Sequence, residues 1–228
     1  METISRRFRD EVETAFAREV EQLTCSAEFQ ALEDGRATPE QYDAFIENVV
    51  RAHLRSPQLL AFLYALAPPA AAPGLRRNML EELGLEDEAG RPHPDLLEDL
   101  LAGAGLAHRL LHIEAQADED IRRLVTDPLL YGSLREVGLA ALTEIVAFEF
   151  MLARLSSRFA RALANHRGLP QPALTWFTHH AEVDVGHAEQ GLAHLEAYVR
   201  SYEFTDDEAL TIVDTALREN VFTRRYWR

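Results

Sequence analysis

Apolar positions recur at helical spacing over nearly the whole chain, and the period-two alternation of β-branched residues that marks strands is almost absent. The pattern predicts a first helix from Ile4 to Glu33, stopped at Asp34-Gly35. A second opens at Thr38, with Pro39 in its first turn and Gln41 three residues after the cap. It carries Phe45, Val49, Ala52 and Leu59 on one face and ends before Pro68. A third runs from Leu75 to Leu83 and stops at Gly84; a polar loop leads to a fourth that starts near His93-Pro94 and ends at Gly103 or Gly105. Helical pattern continues from Leu106 to Thr126, from Leu130 to His166 and from Pro172 to Tyr202. A last helix begins at Thr205, whose partner Glu208 completes a capping box, and reaches Asn220. These seven or eight helices, joined by short loops with no linker or repeat, predict one all-α, single-domain bundle over residues 1–228.

Composition narrows the reading. The 228 residues carry 38 acids against 23 basic residues, a formal net charge of −15, which speaks against a partner that presents a phosphate backbone. The single Cys25 excludes a disulfide framework and any cysteine-built zinc or iron–sulfur site. The charged N-terminus has no apolar targeting core, and the longest apolar stretch, from Leu59 to Pro73, is too short for a bilayer and interrupted by prolines. A cytoplasmic protein that binds neither nucleic acid nor membrane is the expectation.

The chemistry concentrates in His180, Asp184 and His187. At i, i+4 and i+7 the three share one helix face, and two imidazoles with a carboxylate suit iron, manganese or zinc. With Leu174, Phe177, Val183 and Leu195 making this helix largely buried, the carboxylate needs a cation or hydrogen bonds to compensate it. Further ligands should come from facing helices. Glu149 lies between Phe148 and Phe150 in the apolar helix that precedes the triplet, with Glu144 one turn earlier. The third helix ends in Glu81-Glu82, and His93 opens the fourth.

This ordered set resembles the haem-oxygenase-like dimetal oxidases and oxygenases, which share a seven-helix fold with the thiaminase-type TenA proteins and pyrroloquinoline-quinone synthase. The resemblance spans about Asn78 to Gly191. It implies six ligands for two irons cycling between Fe2+ and Fe3+: Glu82, His93, a bridging Glu149, His180, Asp184 and His187, with Glu81 as the alternative to Glu82 and Glu144 as the alternative to Glu149. It implies O2 as co-substrate, an external electron donor to complete the cycle, and a fold compatible with a homodimer. Its members act on amines and amino acids by N-oxygenation or oxidative C–C cleavage, and on related carboxylic acids. Phe148, Trp176, Phe177 and Arg154 are the candidate pocket residues, with Tyr64, Tyr131 and Tyr198 nearby and Arg135 and Arg158 as further partners for a substrate carboxylate. A metal-free enzyme of the same fold and a non-catalytic helical partner protein are the alternatives; thiaminase-type hydrolysis is disfavoured because Cys25 lies far from the position such a nucleophile occupies.

Overall fold

A computed structural model describes residues 2–86, 90–128 and 132–228. Among these residues the regular structure is entirely helical, as the apolar period requires. The helices are α1 (Glu2–Cys25), α2 (Ala27–Glu33), α3 (Pro39–His53), α4 (Ser56–Leu66), α5 (Ala72–Glu82), α6 (His93–Gly103), α7 (Leu110–Ile121), α8 (Leu134–Ala162), α9 (Thr175–Ser201), α10 (Asp206–Leu217) and α11 (Val221–Trp227). The expected start of the long helix at Leu130, and Tyr131, lie outside the described residues. Short π-helical turns at Arg122–Thr126 and Leu163–Arg167 close α7 and α8.

The local starts and stops have identifiable causes. The Thr38 and Gln41 pair forms a reciprocal capping box at α3, and Thr205 with Glu208 does the same at α10. A third box, Ser133 with Glu136, fixes the start of α8. Two of the long expected helices are divided, and one helix lies beyond the last expected one. Ser26 caps α2 by accepting from the Phe29 amide, which separates it from α1. The second expected helix breaks after His53, because Arg55 leaves helical geometry before the Ser56-Pro57 start of α4. The last expected helix ends at Leu217, close to the predicted Asn220; Glu219 and Asn220 then take positive φ, 61° and 51°, and the Asn220 side chain caps the additional α11.

The centre of the bundle is the pair α8 and α9. Gly138 faces Tyr198 while Val146 and Glu149 face Gly191, so the two helices run antiparallel. Their glycines let the backbones approach: a Cβ on Gly138 would lie 2.0 Å from the Tyr198 hydroxyl. Around this pair, Phe159 contacts the rings of Phe29, Phe45, Phe177 and Tyr226 at centroid distances of 5.4, 5.2, 5.9 and 6.0 Å. Each buried aromatic of this kind contributes about 1.5–3 kcal/mol by leaving water, so this cluster sets where α2, α3, α9 and α11 sit on α8. Bidentate arginine–carboxylate pairs join elements far apart in sequence, Arg158 to Glu33 and Arg51 to Asp120. No described helix is long and apolar enough to cross a membrane.

Candidate metal centre

Four helices bring acids and imidazoles to one interior point. The last turn of α5 places Asn78, Glu81 and Glu82 on one face (i, i+3, i+4). His93 is the first residue of α6. Glu149 comes from the middle of α8, and α9 supplies His180, Asp184 and His187.

Glu82 is the hub. Its Oε1 accepts a hydrogen bond from His93 Nδ1 at 2.8 Å and lies 3.8 Å from His180 Nε2. Its Oε2 accepts from the Ser56 hydroxyl. One candidate ligand atom from each of Glu82, His93 and His180 falls within a common 4.8 Å sphere of mutual distances. His180 Nδ1 donates to the Trp176 carbonyl at 2.8 Å, which fixes the ring and aims Nε2 inward, the arrangement metal-binding imidazoles use. A second group adjoins the first. His187 Nε2 is 2.7 Å from Glu81 Oε2, and its Nδ1 is 3.3 Å from Asp184 Oδ1. Both ring nitrogens thus face carboxylate oxygens, so both carry hydrogen in this arrangement. Glu149 Oε1 accepts from Asn78 Nδ2 at 2.6 Å.

The electrostatics follow from this crowding. Burial pushes the Glu82 carboxyl up, yet hydrogen bonds from His180 and His93 hold it well below the usual range. Burial pulls the His187 imidazole down, but the Asp184 hydrogen bond and the charges of Glu149, Asp184 and Glu81 drive it up to about 10. The His180 imidazole is raised in the same way, Asp184 and Glu82 outweighing burial. Glu149 is pushed up to about 7, chiefly by burial, against the pull of His187 and with Asp184 and Glu82 adding repulsion. Glu149 therefore feels both groups. Two buried atoms of the site, His93 Nε2 and Asp184 Oδ2, have no hydrogen-bond partner among the described residues. Such atoms are costly unless something binds them, and a carboxylate–imidazole donor set suits a divalent cation.

The expected residues meet different fates. Glu82, His93 and His180 converge; Asp184, His187 and Glu149 lie beside them, with Glu81 attached to His187. Glu144 does not reach the cluster: it pairs with Arg225 at 2.6 Å, because five residues on a helix turn it about 140° away from Glu149. Arg154 is engaged elsewhere. Its guanidinium lies 3.3 Å over the Phe150 ring and donates to the Phe150 carbonyl. Arg135 and Arg158 are engaged with the Tyr202 carbonyl and Glu33. Phe177 packs into the core against Phe45 and Phe159. Trp176 stacks on His180, and Phe148 lines a cavity with His53 and Ser56. A second cavity opens on the other flank, lined by Arg77, Asn78, Glu81, Glu149, His187 and His194 among others. Ile145 borders both. Sequence reasoning missed Asn78 and Ser56. Asn78 had a signal, since it stands one turn before Glu81-Glu82 on the same face; Ser56 had none.

A family model for iron-containing redox enzymes matches residues 43–218, and the chain belongs to that family. Its all-α architecture is accordingly that of a haem-oxygenase-like fold. The chain is also similar to a protein named 4-aminobenzoate synthase from Chlamydia pneumoniae, 28% identical over 179 residues that cover 75% of this chain and 74% of that one.

Proposed function

We propose that this protein is a non-haem di-iron enzyme that uses O2 to oxidise a small amine, amino acid or related carboxylic acid. The observation that carries the reading is the pairing of a three-ligand cluster with a second carboxylate–imidazole group around buried, unpartnered His93 Nε2 and Asp184 Oδ2. In this reading Glu82, His93 and His180 hold one iron. Asp184 and His187, with Glu81 next to them, hold the second. Glu149 is the shared carboxylate, consistent with its electrostatic contact with both groups. Three or four protein ligands per metal leave coordination positions open, and two ferrous ions there supply the electrons that reduce O2.

The residues around the ligands have separate tasks. Ser56 and the Trp176 carbonyl orient Glu82 and His180, and Asn78 orients Glu149. The buried Trp176 ring covers His180, while the cavity beside Glu149 and His187 is the route for a small substrate. Similarity to a protein whose name states a small aromatic amino acid as its product agrees with this substrate size.

The test is metal analysis after anaerobic ferrous loading. The proposal expects close to two irons per chain and O2 consumption by the loaded protein. It also expects Asp184→Ala to lose the second iron. An Asp184→Ala protein that retained both irons would overturn it.

A further inference from the structure

A line of rings leads from the edge of the cluster to the surface. The Trp176 ring lies against His180, centroids 4.2 Å apart. His53, on α3, lies 4.8 Å beyond Trp176, and its Nε2 is 2.7 Å from the hydroxyl of Tyr226, on α11. Tyr226 is fully buried. Its neighbour Trp227, 6.0 Å away between centroids, is half-buried and borders a surface cavity with Gln41 and Asn48.

Packing alone does not account for the phenol. A phenylalanine would fill the same space without a buried hydroxyl that needs a partner, and His53 is what meets that need. Tyrosine and tryptophan are the side chains that give up a single electron most readily. A phenol that loses an electron becomes a strong acid, so it needs a proton acceptor within hydrogen-bond reach. The His53 imidazole, which burial lowers to about 3 and so keeps neutral, presents Nε2 to the phenol as such a group.

We infer that Tyr226 is a one-electron donor to the metal centre, with Trp176 as the conduit and His53 as the proton acceptor. This rests on the iron reading above. Once O2 has oxidised the iron, Tyr226 loses one electron, which passes by way of Trp176 and His180 to the metal. Its O–H bond breaks, and the proton forms a bond to His53 Nε2. The products are a neutral phenoxyl radical, a protonated His53 and iron reduced by one electron. A one-electron reductant acting at Trp227, with return of the proton from His53, restores the phenol. The three side chains are thus positioning and relay residues that connect the centre to an external donor.

The experiment is rapid freezing of the ferrous-loaded protein after mixing with O2, read by electron paramagnetic resonance. The expected result is a tyrosyl signal whose hyperfine splitting narrows when the protein is produced with ring-deuterated tyrosine. The signal should vanish in Tyr226→Phe while iron content and melting temperature stay at the wild-type level. His53→Gln should suppress it as well, since the proton then has no imidazole to reach. A wild-type protein that binds iron and consumes O2 without forming the radical overturns the relay and leaves the iron reading intact. So does a signal that survives in Tyr226→Phe. Failure to bind iron at all overturns both.

Discussion

Asn78 is not an expected ligand, yet it holds Glu149 through a 2.6 Å hydrogen bond. Loss of such a supporting contact typically weakens metal affinity about 10–100-fold. Asn78→Ala should therefore lower iron affinity by that order in a chelator competition assay while the helical circular dichroism stays unchanged. Protonation acts at the same scale. In the metal-free protein the His187 imidazole is raised to about 10, so it holds its proton at neutral pH, and the His180 imidazole is raised as well by Asp184 and Glu82. Iron needs a bare ring nitrogen, and loading must displace a proton held there. The sign is fixed: apparent affinity rises with pH, by about tenfold per pH unit for each proton displaced. Titrating affinity between about pH 6 and pH 9 checks this; an affinity independent of pH would show that neither imidazole binds the metal.

At the scale of elements, the seam between α8 and α9 positions most of the proposed ligands. Gly191 sits in that seam, where a Cβ would come within 2.7 and 2.8 Å of the Val146 methyls and 3.2 Å of Glu149 Oε2. Gly191→Ala should separate the helices at a cost of about 1–3 kcal/mol and reduce iron content together with the melting temperature. Gly186, on the same helix, would meet nothing within 4 Å, so Gly186→Ala should stabilise by about 0.5–1 kcal/mol through helix propensity alone. If both variants lowered stability equally, close packing at the seam would not be the cause. The helices themselves were largely legible. Thr38, Pro39, Gln41, Thr205 and Glu208 are short-range signals, and the caps they predict are present. The helix after Asn220, α11, was not legible: no glycine or proline separates it from α10, and it exists because the chain turns back to bury Tyr226 and Phe222 against the core. The site divides along the same line. His180, Asp184 and His187 lie on one helix and could be read from spacing. The choice of Glu82 over Glu81 as the partner of His93, and the removal of Glu144 from the set, depend on rotations of α5 and α8 that no local pattern encodes.

Across the whole molecule, the cluster links charge, stability and metal. Glu81, Glu82, Glu149 and Asp184 gather four carboxyl groups around three imidazoles in a chain whose formal net charge is already −15. Without a cation, protons are what balance that cluster, as the raised His187, His180 and Glu149 show. A divalent ion would replace those protons and bind the folded chain alone, because the ligands come from α5, α6, α8 and α9 and are dispersed on unfolding. A ligand present at a hundred times its dissociation constant stabilises by about 2.7 kcal/mol, and for a chain of this size that corresponds to about 5–10 °C in melting temperature. Ferrous loading under anaerobic conditions should raise the melting temperature by that order, and a chelator should reverse it. Glu82→Gln should abolish the increment, since the Glu82 carboxylate lies 2.8 Å from His93 Nδ1 and 3.8 Å from His180 Nε2. An increment that persisted in Glu82→Gln would place the iron away from these helices, and the four-helix convergence would then be a proton-balanced structural cluster.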